Sequence, residues 1–175
     1  MVRESVRWDY ELKDPRLLEA STDRALAIAH SDPSGPVYMT LPRELLAMPP
    51  AGEIGDQSSM LPARLGAPNP ADVTEACTML LAAKAPVIVT ARAGADKGVP
   101  ALLSRLAERL AAPVVEYRPR HLNLSSEDQF HGGFETRPWL ADADVVLVLE
   151  CDVPWMPESD PVPDGLKVIQ AGVDP

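Results

Sequence analysis

Cysteine is nearly absent from this 175-residue chain: it has two, Cys77 and Cys151, and no CxxC pair. That argues against a disulfide scaffold and a structural zinc site, and makes a reducing cytoplasm the default compartment. Positive charge is also short. Lys and Arg number 16 against 26 Asp and Glu, a net charge of −10. Such a chain is a poor partner for a phosphate backbone, so no nucleic acid is expected. The basic run "RPRH", from Arg118 to His121, is too short to reverse that. No apolar run approaches the ~20 residues that cross a bilayer, so no membrane is expected. The opening "MVRESVRWDY" mixes charges from the start and is no secretory signal. P-loop, HExxH helix and Ser-His-Asp order are missing too.

Proline is the residue present in excess, at 19. Helices are therefore confined to the segments between prolines. Asp14-Pro15 reads as an N-cap with proline in the first turn. Leu17, Leu18, Ala25, Ile28 and Ala29 give a helical stripe that "SDPSGP" must end near His30. "GPVYMTLP" then reads as a strand over residues 37–41, with Val37, Met39 and Leu41 on one face. It has no evident neighbour in sequence, so both of its edges are expected to be open. Residues 42–70 are rich in breakers and read as a linker winding over a surface.

Beyond the linker the pattern turns regular. Asn69-Pro70 repeats the cap-plus-proline signal, and Val73, Ala76, Cys77, Leu80 and Leu81 make one helical face. Strands are expected at residues 85–91, 113–117, 144–150 and 166–173, with a helix along Val99, Leu102, Leu103, Leu106 and Leu110 and a short one in "TRPWLADA". Alternating strands and helices predict an α/β fold, a Rossmann-like parallel sheet with helices on both faces, preceded by a helix–strand arm that does not join it. Ligands of such sheets bind at the carboxyl ends of the strands.

The candidate site residues lie at those ends. Gly94 stands in "TARAGADKG", a turn with fewer glycines than a dinucleotide fingerprint but with helix amides that would suit a phosphate. The alternative is an ordinary turn with glycine at a positive φ. His121 and His131 share one loop region, without a carboxylate or thiol partner fixed by spacing, and His30 suits the negative end of a helix. Asp152, with Glu150 and Trp155, follows the third of these strands and would line a cleft, although Trp155 also suits simple packing. Cys151 reads as a small hydrophobe, not a nucleophile. The cofactor-binding candidates are Gly94, His121 and Asp152; no catalytic and no metal-binding residue stands out.

The order of segments resembles thiamine-diphosphate-dependent enzymes of the acetolactate synthase and 2-oxoacid decarboxylase type. "ALAIAHSDPSGPVYMTLPREL" is similar to the end of that family's pyrimidine-binding domain. "PVIV", "LAERLAAPVV" and "ADADVVLVLECDVPW" are similar to its central domain. The resemblance implies that residues 1–48 are the C-terminal part of the first domain, 49–69 a linker, and 70–175 a central Rossmann-like domain cut short at its C-terminus. It implies a parent enzyme that uses thiamine diphosphate and Mg²⁺ on 2-oxo acids or related acyl donors, as a carboligase or decarboxylase, cytoplasmic and homo-oligomeric. The "GDG" motif of the family's third domain does not occur here. The fragment is accordingly expected to be a silent, structural piece with no tightly bound cofactor. FAD or ADP binding in the central domain is not favoured by "ARAGADKG" and "YRPRHLN". A stand-alone nucleotide- or flavin-binding module, or a purely structural interaction domain, are the other readings.

Overall fold

The computed structural model describes residues 2–49 and 60–172. The chain divides into two compact units, Met1–Ala67 and Pro68–Pro175, each with its own sheet.

In the first unit, strand β1 (Trp8–Glu11) and strand β2 (Val37–Thr40) pair in parallel, Trp8 opposite Val37 and Glu11 opposite Thr40. Between them runs helix α1 (Leu18–His30). Its approach is the capped turn expected: the Asp14 carboxylate accepts from the Arg16 amide at 2.9 Å, and Pro15 opens a 3₁₀ turn. The strand expected to lack a neighbour has one, a correction to the sequence reading. β1 is short and half charged, but Trp8 and Tyr10 share one face and stack at 5.3 Å between ring centroids. That aromatic face is what a strand pair can bury. Val37 and Met39 are half-buried and Tyr38 is exposed, as the alternation requires.

A single helical turn, α2 (Arg43–Leu46), interrupts the segment read as aperiodic. Part of the expected linker, residues 50–59, lies outside the described residues. Where the chain is described again it is anchored locally. The Ala63 amide donates to Ser31 Oγ and the Asp32 amide to the Ala63 carbonyl, both at 2.9 Å.

The second unit holds helix α3 (Pro70–Ala82), strand β3 (Pro86–Thr90), helix α4 (Val99–Leu110), strand β4 (Val114–Glu116), the single turn α5 (Arg137–Leu140), strand β5 (Val145–Leu149) and strand β6 (Lys167–Ala171). Residues 173–175, including the expected end of the last strand, lie outside the described residues. The sheet is wholly parallel in the order β4-β3-β5-β6. β3 and β5 are central, which is why both read as unbroken apolar runs. Ile88, Val114 and Leu147 face Leu80, Leu103 and Ala107 of α3 and α4. Val87, Val89, Val146 and Val148 face the other way, under Leu140 of α5, with Tyr117, Trp155 and Leu166 packed against them. Each such aliphatic side chain contributes about 1.5–3 kcal/mol on full burial. Trp155 thus closes the second face, which among the described residues carries one turn of helix, α5. The expected apolar face of α3 is a partial correction: Leu80 is buried, but Val73 and Leu81 are exposed at 44% and 76%. The five residues span more of the helix circumference than the sheet can cover.

Candidate functional site

From β3 the chain passes through α4 to β4 on one side, whereas from β5 it passes to β6 on the other. Such a reversal opens a crevice at the carboxyl ends of the two central strands, the usual ligand position in open α/β sheets. Here Arg92, just past β3, spans it. Its amide donates to the Glu150 carbonyl at 3.1 Å, and its guanidinium Nη2 lies 2.7 Å from Asp152 Oδ1 and 3.7 Å from Glu150 Oε2. The pair is partly exposed, so its energetic contribution is modest. Its geometric effect is larger, since it ties the two loops together across the crevice. Glu150 sits at φ 46°, a left-handed conformation that costs a non-glycine residue about 1–2 kcal/mol. Beneath the pair, Cys151 is buried. Burial pushes its thiol pKa up, and the neighbouring Asp152 charge adds to that, which removes it as a nucleophile.

Gly94 lies in the short turn Ala93–Ala95. Its φ is not in the left-handed region, against the simple-turn expectation. A Cβ there would stand 1.9 Å from the Leu122 carbonyl oxygen, so close backbone approach is what demands glycine. The Gly94 amide donates to Asn123 Oδ1 at 2.9 Å. Asn123 is fully buried, and its Nδ2 reaches the His121 carbonyl at 2.9 Å, Glu116 Oε2 at 3.1 Å and the Ala91 carbonyl at 3.3 Å. Glu116, 2% exposed, also accepts from the Leu124 amide at 3.1 Å and has His131 Nε2 3.5 Å from Oε1. A buried carboxylate is tolerated only with partners of this kind. The network fastens the loop after β4 to the turn after β3.

Gly94 and His121 are therefore joined through Asn123, with the His121 side chain exposed, while Asp152 stands at the crevice with Arg92. Arg92, Glu116 and Asn123 are absent from the sequence-based candidates. A charged residue closing the apolar strand "VVE" is the one local signal that could have flagged Glu116.

A dinucleotide does not fit this turn. The Gly94 amide is held by Asn123, and the Gly98 amide at the start of α4 donates to Asp96 Oδ1 at 2.8 Å. Pro100 in the first turn of α4 offers no amide at all. Glu150 and Asp152 would repel a diphosphate from Arg92. Beside the outer edge of β4 is a second concavity, a cleft of about 170 Å³ between Pro113, Phe130, His131 and Trp139. It is smaller than the ~300 Å³ at which ligand pockets begin. Among the described residues no group of three or more His, Cys, Asp and Glu is placed to hold a metal ion, and no helix is long and apolar enough to cross a membrane.

The fold recurs in solved structures. A thiamine diphosphate-dependent 4-hydroxybenzoylformate decarboxylase from Rhodococcus jostii RHA1 superposes with a TM-score of 0.72 at 21% identity, over 95% of this chain and 34% of that one. A benzoylformate decarboxylase from Polynucleobacter necessarius gives 0.73 at 23% identity, over 97% of this chain and 33% of that one. The chain thus spans about a third of the length of these enzymes. Residues 73–175 match the family described as thiamine pyrophosphate enzyme, central domain. The chain belongs to the thiamine pyrophosphate enzymes, and carries their central domain.

Proposed function

We propose that this chain works as the bracing part of a longer thiamine-diphosphate- and Mg²⁺-dependent enzyme acting on 2-oxo acids or related acyl donors, as a decarboxylase or an acetolactate synthase-like carboligase. The observation that carries this is the family match over residues 73–175, on a sheet whose carboxyl edge is closed by its own side chains. Residues 1–48 would be the C-terminal part of the pyrimidine-binding domain, 49–69 the linker, and 70–175 the central domain. The chemistry supplied when thiamine diphosphate is bound is an electron sink beside a carbonyl carbon. This chain's residues act around that chemistry, not in it. Gly94 allows the loop after β4 to close down, Asp152 holds Arg92 across the crevice, and His121 is presented at the surface of the same edge. The parent is read as a cytoplasmic homo-oligomer, a compartment that suits two free cysteines.

Two measurements test the reading. The chain incubated with thiamine diphosphate, Mg²⁺ and either pyruvate or benzoylformate is expected to show no cofactor-dependent loss of the 2-oxo acid. Turnover that disappears when the cofactor is withdrawn would sink the bracing role. Calorimetry with FAD, ADP and NAD is expected to show no heat of binding. Tight binding of any of them would favour a stand-alone nucleotide- or flavin-binding module.

A further inference from the structure

The cleft beside the outer edge of β4 has no part in the bracing role. Phe130, His131, Gly132 and Trp139 form it together with Pro113, just before the strand. Its walls are fixed from outside the cleft. The Val114 amide donates to the Phe130 carbonyl at 2.8 Å, and the Gly132 amide to the Val114 carbonyl at 2.7 Å, which lays residues 130–132 along β4. The Phe130 amide donates to Asp128 Oδ1 at 2.9 Å. Trp139 Nε1 donates to the Gly132 carbonyl at 2.7 Å, so the indole is held although the residue is 40% exposed. His131 is held on two sides: Nε2 lies 3.5 Å from Glu116 Oε1, and the Phe134 ring stands nearly perpendicular at 5.4 Å between centroids.

Glycine at position 132 lets two of these walls come close. A Cβ there would stand 3.1 Å from Trp139 Nε1 and 3.3 Å from Pro113 Cβ, pressing on both. Fixed walls around a standing gap are what pre-formed ligand sites have, and the ordering cost of binding is then already met.

Size and charge define the occupant. A volume of about 170 Å³ excludes a nucleotide or a thiamine-sized cofactor. It suits one six-membered ring, since an apolar cavity of roughly 150 Å³ seats benzene. Phe130 and the Trp139 indole favour an aromatic ring, which pairs with them offset or edge-on. No Asp, Glu, Lys or Arg lines the cleft. Asp128 is bonded to its Phe130 wall, Glu116 stands behind His131, and the chain carries a net charge of −10, so an anion is disfavoured. The Gln129 amide and the His131 imidazole are the polar side chains that line it, enough to hydrogen-bond one ring substituent. The ring and that substituent fill the volume, so a ring carried on a peptide backbone would enter only in part.

We infer that this cleft is a binding site for one small, neutral, hydroxyl-bearing aromatic ring, taken as a free molecule. It is separate from the crevice at Arg92 and Asp152, which lies at the ends of β3 and β5. It does not rest on the thiamine diphosphate reading, because it needs only residues of this chain.

Phenol is the probe, added to the whole chain at pH 8, above the ordinary imidazole range. In a proton–nitrogen correlation spectrum it is expected to shift the Trp139 indole and Gly132 amide signals saturably, half-maximally at about 1 mM or below. The other two indoles, Trp8 and Trp155, should keep their positions. Benzoate and N-acetylphenylalaninamide are expected to bind at least about fivefold more weakly than phenol. Trp139→Ala removes one wall and Gly132→Ala crowds the gap. Each is expected to weaken phenol binding at least about tenfold, read at the amides of residues 130–132. Should either variant lose its dispersed spectrum, the pattern of shifts in the unmodified chain decides alone. A titration that never saturates, or shifts spread over all three indoles, overturns the inference. So does benzoate or the peptide-like amide binding as tightly as phenol, or a folded Trp139→Ala chain that keeps the affinity.

Discussion

Gly94 and Gly35 are both crowded by neighbours, but different atoms must give way. At Gly94 a Cβ meets backbone: the Leu122 carbonyl oxygen at 1.9 Å and its carbon at 2.7 Å. That backbone is fastened by Asn123 and Glu116 and cannot retreat. At Gly35 a Cβ meets the Arg7 side chain, Cδ at 2.5 Å and Cγ at 2.9 Å, on a stem that can turn away at the loss of one hydrogen bond to the Ser31 carbonyl. Gly94→Ala is therefore expected to cost about 2–4 kcal/mol, and Gly35→Ala about 1 kcal/mol or less. Urea titrations give both, provided the slope is unchanged between variants. Equal effects would show that the loop after β4 is looser than the hydrogen bonds imply. This is also where sequence reading reaches its limit. Gly94 is legible as a special glycine, but its reason depends on Leu122 and on strand order. Arg92 and Asp152 are 60 residues apart, and only the adjacency of β3 and β5 brings them together.

At the scale of elements, the carboxylates that secure strand ends are the acid-sensitive groups. Asp144, just before β5, accepts the Lys84 amide at 2.7 Å and the Ala85 amide at 3.0 Å, which together hold its carboxyl pKa below the ordinary 3.8. Asp128 is lowered first by the Ser104 hydroxyl, which donates at 2.5 Å, and then by the Phe130 amide at 2.9 Å. A pKa lower in the folded state than in the unfolded one means that the folded state prefers the charged form. The stabilisation is fully present above the ordinary value and is lost as the pH falls through the lowered one. Stability is expected to be flat down to about pH 4 and to fall below it, with a shallower fall in Asp144→Asn. An Asp144→Asn chain with the parent's full acid slope would show that other carboxylates carry the loss. The elements themselves were unequally legible. "PVIVT" and "VVLVL" announce strands because both faces are buried. "WDYE" hides one, because two of its four residues are charged and its pairing with β2 comes from 29 residues away in register.

For the whole molecule, the two units are unequal in what they bury. Among the described residues of Met1–Ala67, Leu12 and Ala25 are the fully buried apolar side chains. In Pro68–Pro175 there are two continuous clusters, one on each face of a four-stranded sheet. Ordering the backbone costs about 1–2 kcal/mol per residue in either unit. The two-stranded sheet of β1 and β2 offsets that with little more than the Trp8–Tyr10 face, Leu12 and the underside of α1, and two strands alone are marginal in water. Its outer edges also remain unpaired among the described residues, an invitation to other strands. The units should therefore open separately. Amides of β2 are expected to exchange with solvent about two orders of magnitude faster than those of β5. Hydrogen exchange followed by mass spectrometry on the dilute chain measures it. Equal protection of β2 and β5 in a monomeric chain would mean that β1 supplies all the partnership β2 needs.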